Sequence, residues 1–322
     1  MDFPRASWTS FDRYDRYGAI ARAIRANLGP GRHRVLDVGD SSGYLQAFDA
    51  DLHVVSADIV ASAAPLPGLV LTIADGSRLP FRSRSFDAVV SSDALEHVPP
   101  DERALFVVEL TRAARELVVL AAPFDTPGVA GAEELVRRYC LLAAGQPQEQ
   151  LDEHAAHGLP MLDTTCATIE AEGLTVVNTG NGNLFDWLLM MLVKQQLSAR
   201  PALAPLEQGY DILYNFVLSG RAQRAPFYRH VVVGSRHGVP ALGEEIEPLP
   251  GTPADIAPLL AAIMAADVSE ATRQDVVPEL HRMQHDIAAQ LDALATRVEQ
   301  LHQRIDGLTR PRRRVRDAIR RR

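Results

Sequence analysis

Val35-Leu36-Asp37-Val38-Gly39-Asp40-Ser41-Ser42-Gly43-Tyr44-Leu45 constrains the fold of this chain more than any other stretch. An apolar run carries an acid, a glycine follows two residues on, and a second glycine comes four residues later. The pattern predicts a buried strand that turns tightly into a helix. The turn is stripped of side chains, so a ligand can approach the backbone. A second apolar run, Leu52-His53-Val54-Val55-Ser56-Ala57, ends in Asp58, nineteen residues past Gly39. An acid at the tip of the second strand accepts hydrogen bonds from both hydroxyls of a ribose. Together the two features point to a nucleoside-bearing ligand.

A dinucleotide fingerprint needs three glycines to seat a pyrophosphate on a helix N-terminus. This chain has Gly39, then Ser41, then Gly43, with Asp37 just before the turn. A carboxylate aimed into the loop repels a pyrophosphate. It suits a cation such as the amino group and sulfonium of S-adenosylmethionine. The bland alternative is an ordinary strand-turn-helix with an incidental Asp. Asp37-x-Gly39-x-x-x-Gly43 resembles the first motif of class I S-adenosylmethionine-dependent methyltransferases. Further along, Asp75-Gly76, Leu79-Pro80-Phe81, Ser85-Phe86-Asp87 and Leu95-Glu96-His97-Val98 follow in order. This series resembles the small-molecule branch of that family, and four motifs in register are more specific than one.

The resemblance implies a Rossmann-like α/β fold, doubly wound around a mostly parallel seven-stranded sheet, with S-adenosyl-L-methionine as cofactor. It implies that Asp58 holds the ribose and Asp75 meets the adenine amino group, with Gly76 beside it. The backbone from Gly39 through Ser41 to Gly43 lies along the methionine portion, and Ser92 lines the site at the end of the fourth strand. The motif departs from the family pattern at Asp40 and Ser41. Ten residues separate Asp58 from Leu69, with Pro65 and Pro67 among them, so the usual helix there is expected to be short or missing. No metal is expected in the site.

With 322 residues, the chain has room for one large domain and an appendage. Apolar content of 47% indicates a foldable body. Cys140 and Cys166 are too few for a disulfide framework and read as free thiols in a reducing cytoplasm. The first residues lack the basic-apolar pattern of a signal peptide. The most apolar window, Leu184 to Leu197, contains Asp186 and Lys194 and is too short to span a bilayer. The expected location is therefore cytoplasmic. Residues 310–322 hold eight Arg and one Asp, so the rest of the chain carries −15 against a total of −8. An acidic body argues against a nucleic-acid groove, which needs a basic face.

Residues 11–27 read as an amphipathic helix leading into the first strand, with Phe11, Tyr14, Ala19, Ile20 and Ile24 on one side. Strand and helix signals then alternate from 35 to 122, as a parallel sheet requires. The last two strands are expected at Leu174–Val177 and Tyr228–Gly234, and the segment between them is too long for a hairpin loop. The domain expected over 1–236 thus carries helical insertions at about 124–172 and 180–227. Residues 237–269, rich in Pro, Gly and acid, read as a linker with one short helix. Over 270–309 the apolar residues Ile287, Leu291, Leu294, Val298, Leu301, Ile305 and Leu308 alternate in steps of four and three. This is a coiled-coil seam, extended by Leu280, and it predicts a homo-oligomer, most simply a dimer, through 280–308. The Arg-rich tail over 310–322 either contacts an anionic membrane surface peripherally, at the inner face, or serves as a solvated end.

Pro123-Phe124-Asp125, Glu153-His154, Gly158-Leu159-Pro160, Trp187-Leu188-Leu189 and Tyr228-Arg229-His230 resemble a bacterial methyltransferase subgroup from surface-polysaccharide gene clusters. That resemblance implies O-methylation of a glycan or glycan-lipid precursor. A quinone or small-lipid acceptor, or a non-catalytic cofactor-binding scaffold, are the alternatives. Methyl transfer is an in-line displacement in which the protein aligns the nucleophile and a base can take its proton. His97, just past the fourth strand, is the first catalytic candidate. His154, with Glu153 in the segment after the fifth strand, and Asp93 follow. Each also has a structural reading: His97 packing its turn, His154 tying down the insertion.

Overall fold

The computed structural model describes residues 9–243, except 64, 146, 201, 202, 205, 216–218, 220 and 221. The 237–269 linker beyond residue 243, the 270–309 coiled coil and the 310–322 tail lie outside the described residues.

One seven-stranded sheet organises the chain in the order β3-β2-β1-β4-β5-β7-β6. Its strands are β1 (His33–Val38), β2 (Leu52–Asp58), β3 (Val70–Ile73), β4 (Phe86–Ser92), β5 (Ala114–Ala122), β6 (Thr175–Asn183) and β7 (Phe227–Ser235). The first five pair in parallel. β7 is antiparallel to both β5 and β6. The expected α/β, Rossmann-like sheet is present, and strand order reverses between β1 and β4. Ligands of such sheets bind at the C-terminal strand ends beside this reversal.

The central strands are continuous apolar runs because both their faces are covered. Val35, Leu36, Val89, Val90, Val118 and Val119 are fully buried. Each such side chain contributes ~1.5–3 kcal/mol of transfer free energy. Helix α1 (Phe11–Leu28) covers one face, laying Tyr17, Ile20, Ala23 and Ile24 on Val35, Val54 and Val90. The other face packs on α3 (Arg103–Ala113) through Phe106, Val107 and Leu110, and on α6 (Leu162–Ala171) through Ile169. Helix α2 (Leu45–Phe48) is one turn long. Among the described residues no helix joins β2 to β3, as the two prolines required.

Past β5 come α4 (Val129–Tyr139), α5 (Glu149–His157) and α6, and between β6 and β7 come α7 (Leu184–Ser198) and α8 (Leu206–Leu213). A π-helical turn at Cys140–Ala144 prolongs α4. Helix α5 was not expected from the sequence. Strand β6 runs six residues past its expected end at Val177, through Asn178, Gly180 and Gly182, because pairing with β7 overrides those breakers. Gly180 has to be glycine here, since a Cβ would stand 1.9 Å from the Phe227 ring. Among the described residues no helix is long and apolar enough to cross a membrane.

Candidate active site

A cavity of about 790 Å³ opens at the C-terminal ends of β1, β2 and β4. One end is built by the loop after β1. Gly39 lies at φ 92° and donates its N–H to Ala57 O at 2.8 Å. A Cβ at this position would stand 2.4 Å from the Cβ of Ala94, so only glycine lets the loop fold back over β4.

Asp40, the unusual residue of the motif, is the clamp of that loop. Its carboxylate accepts from the backbone N–H of Ser42 at 2.9 Å, Gly43 at 2.7 Å and Tyr44 at 3.1 Å. The amides that would cradle a phosphate are already satisfied by an anion of the chain itself. Two residues earlier, Asp37 is fully buried and neither of its oxygens completes a hydrogen bond. Burial, then Asp40, raises its carboxyl well above the ordinary range, against the pull of Arg16 and the Tyr17 hydroxyl. A buried acid of this kind ionises only when a cation comes to the loop. The loop therefore fits a cationic ligand and not a pyrophosphate.

Gly39, Ser41, Asp58 and Ser92 line the cavity. Asp58 ends β2 with its Oδ1 accepting from Val60 N–H at 3.0 Å. Ser92 ends β4, buried, with its hydroxyl unpartnered. Asp37, Gly43, Asp75 and Gly76 stand outside the lining. Asp75 turns its Oδ1 to the N–H of Ser77 at 2.8 Å. Gly76 packs on Phe106, whose ring would be 2.3 Å from an added Cβ. Gly43 has φ 80° and faces Leu69.

The other end of the cavity holds His97, His154 and Asp93. His97 closes the 3-10 turn Leu95–His97 that follows β4. Its Nδ1 meets Glu153 Oε2 at 2.7 Å. His154, buried on α5, meets Glu133 Oε1 through Nδ1 at 3.0 Å. The two Nε2 atoms face each other at 3.3 Å. Burial, then His154, lowers the pKa of His97, so its imidazole is neutral near pH 7. The Tyr228 hydroxyl donates to the same Glu133 oxygen at 3.0 Å. Arg103 fixes α5 over this turn by donating to Val98 O at 3.0 Å and to Gly158 O at 2.5 Å.

Asp93 is the centre of a buried ion network. Its φ of 46° is in the left-handed region and turns the backbone toward two guanidiniums. Arg16 reaches it at 2.6 Å and Arg229 at 2.8 Å. Arg229 is 1% exposed and also holds Asp12 at 2.5 Å. Burial alone would raise the Asp93 carboxyl, but Arg229 and Arg16 outweigh it and hold the group below its ordinary range. The network ties α1, β4 and β7 together in the wall of the cavity.

Sequence reasoning missed three residues of this arrangement. Glu96 is buried beside the histidines, Glu133 orients His154, and Arg229 holds Asp93. An Arg inside the apolar run of β7 was the one signal available, because a buried guanidinium demands partners.

A search of curated proteins returned no match for the chain. Among solved structures it is similar to the YcgJ protein of Bacillus subtilis, at 14% identity and TM-score 0.44, over 69% of this chain and 98% of that one. It is similar to an S-adenosylmethionine-dependent methyltransferase from Archaeoglobus fulgidus, at 14% identity and TM-score 0.41, over 68% and 92%. Magnesium protoporphyrin IX methyltransferase from Synechocystis PCC 6803, solved with S-adenosylhomocysteine bound, matches at 13% identity and TM-score 0.41, over 68% and 81%. Residues 26–121, from the end of α1 to the end of β5, match the family model described as a methyltransferase domain, and the sheet they build has the Rossmann-like methyltransferase fold.

Proposed function

We propose that the chain is an S-adenosylmethionine-dependent methyltransferase acting on a hydroxyl of a glycan or glycan-lipid precursor. The observation that carries the reading is continuity. One cavity runs from Gly39, Ser41, Asp58 and Ser92 to His97 and His154. Cofactor and acceptor would thus meet in line over the end of β4.

Asp58 would hold the ribose, and the Gly39–Gly43 backbone would lie along the amino-acid portion, where Asp37 and Asp40 favour positive charge. Asp75 and Gly76 would shape the adenine side from behind the lining, through the turn that Asp75 caps. When bound, the cofactor supplies a methyl group on a sulfonium, and the C–S electron pair stays with sulfur as the acceptor oxygen takes the methyl. The chain aligns that oxygen and excludes water. The hydroxyl proton can pass to Nε2 of His97, which is neutral at pH 7 and oriented by Glu153. His154 faces the same nitrogen at 3.3 Å and can share that proton. Asp93, charge-neutralised by two arginines, acts by keeping β4, α1 and β7 in register around the acceptor.

A sugar acceptor is favoured over a quinone or lipid by the polar residues that line the cavity, which include Asp12, Gln148, Gln195 and Gln208. A non-catalytic scaffold would have no use for an oriented imidazole pair facing the cavity. The heptad seam at 280–308 would make the protein a dimer, and the Arg tail would give it peripheral affinity for an anionic leaflet. Light scattering and liposome sedimentation of full-length and truncated chains test those two points. The reaction itself is tested by offering labelled S-adenosylmethionine with nucleotide sugars, polysaccharide fragments and quinols in turn. Formation of S-adenosylhomocysteine with a sugar acceptor supports the reading. Turnover confined to quinols would redirect the acceptor, and none with any acceptor would favour the scaffold.

A further inference from the structure

We infer that Glu96, His97 and His154 form a mononuclear site for a divalent transition-metal ion. One potential ligand atom from each of the three lies within 4.8 Å of the other two. The geometry is more specific than proximity. Glu153 and Glu133 each occupy an Nδ1, which makes those nitrogens N–H donors. Both Nε2 atoms then present lone pairs, 3.3 Å apart. Two lone pairs so placed repel unless a cation or a shared proton lies between them.

A carboxylate holding the far nitrogen of an imidazole is the usual support of a metal-bound histidine, and here both histidines have one. A metal about 2.0–2.1 Å from two nitrogens at the tetrahedral angle holds them about 3.3–3.4 Å apart. The observed separation matches.

Glu96 is the independent observation. It is 1% exposed, yet neither oxygen reaches a hydrogen-bond partner, its own backbone N–H offering at best a poor one. A buried acid without partners is rare, and it ionises only when a cation joins it. Its Oε1 stands 3.9 Å from His154 Nε2, about half an ångström beyond the spacing of two ligands of one ion. Two imidazoles and one carboxylate suit zinc, manganese, cobalt or ferrous iron better than magnesium or calcium, which prefer all-oxygen shells. All three residues line the cavity, so the remaining coordination positions open into it.

On the methyltransferase reading, and only there, the ion would take an oxygen of the acceptor. It would polarise the hydroxyl and lower its pKa before methyl transfer. The requirement for a metal would then replace the requirement for an imidazole base.

The test is metal binding by the full-length chain, which needs no acceptor. Protein stripped with chelator is titrated with Co²⁺ by visible absorption and with Zn²⁺ by calorimetry. One ion per chain is expected, with cobalt d–d bands of a nitrogen–oxygen site. Glu96→Gln and His154→Ala should each weaken binding at least tenfold, and Glu133→Gln, which only orients a ligand, by about 10–100-fold. His53→Ala, exposed on β2, should change nothing. Circular dichroism confirms that each variant is folded. Absence of binding, or equal weakening by His53→Ala, overturns the site. So does a strongly deshielded imidazole proton that persists at saturating zinc, which would assign the pair to a shared proton. A chain that binds S-adenosylmethionine but no metal defeats this inference and leaves the proposed function standing; the converse result separates them the other way.

Discussion

His97 and His154 face each other through their Nε2 atoms at 3.3 Å, each ring turned by a glutamate on its opposite nitrogen. The two residues lie far apart in sequence and on different elements, one on the turn after β4 and one on α5. The pairing makes the acceptor end of the cavity a preorganised site. If it serves turnover, His97→Ala should lower kcat by about 10²-fold or more while changing cofactor affinity little. Glu153→Gln should have a smaller effect on kcat and alter its pH profile. Equal losses of kcat and cofactor affinity in His97→Ala would assign the residue to packing.

Asp40→Ala removes the acceptor of three backbone N–H groups at once. Leaving buried donors unpaired costs about 1–3 kcal/mol. Cofactor affinity and thermal stability should therefore fall together, and Asp40→Asn should recover part of both. Thermal melts with and without S-adenosylmethionine check this. An Ala variant with wild-type affinity would show that the loop does not depend on its clamp.

Gly76→Ala separates packing from binding. The added methyl meets the Phe106 ring at 2.3 Å. Overpacking of this kind costs about 1–3 kcal/mol. Denaturant unfolding should register that loss, while the folded fraction keeps its cofactor affinity within about threefold, equivalent to ~0.6 kcal/mol. A selective loss of affinity would place Gly76 against the ligand.

Much of the fold was legible because the buried strands are continuous apolar runs, and Val35–Val38, Val54–Ala57 and Leu117–Ala122 have no competing reading. Gly39 and Asp58 were legible for a related reason, since a tight turn and an acidic strand tip leave fixed spacings. Helix α5 was not. Its sequence, Glu149-Gln-Leu-Asp-Glu-His-Ala-Ala-His157, buries Leu151 and the polar His154, so no apolar period marks it. Strand β6 was half hidden, because Asn178, Gly180 and Gly182 read as breakers until β7 is beside them. Asp40 looked like a defect of the motif. An Asp two to four residues ahead of the amides it caps is a local signature that could have been read directly.

The Asp15 carboxyl, buried on α1, is pushed up to about 7, chiefly by burial and against the hydrogen bond donated by Tyr214. Its ordinary value is 3.8. Between these values the native state keeps a proton that the unfolded chain releases. The contribution is complete below about pH 4 and is lost as the pH rises to about 7, at no more than ~1.4 kcal/mol per unit. Asp15→Asn keeps an acceptor for Tyr214 without the charge. Its stability relative to wild type should rise between pH 5 and pH 7.5 in urea unfolding. A constant difference across that range would show that Asp15 does not titrate there.

Calorimetric titration of the full-length chain with S-adenosylmethionine tests the account most directly. The predicted result is a single site per chain, displaced by S-adenosylhomocysteine. Asp58→Ala should weaken it by roughly 10–150-fold, the loss of a charge-assisted hydrogen bond worth about 1.5–3 kcal/mol. No binding by a folded chain, or binding that Asp58→Ala leaves unchanged, would contradict the assignment of this cavity to the cofactor.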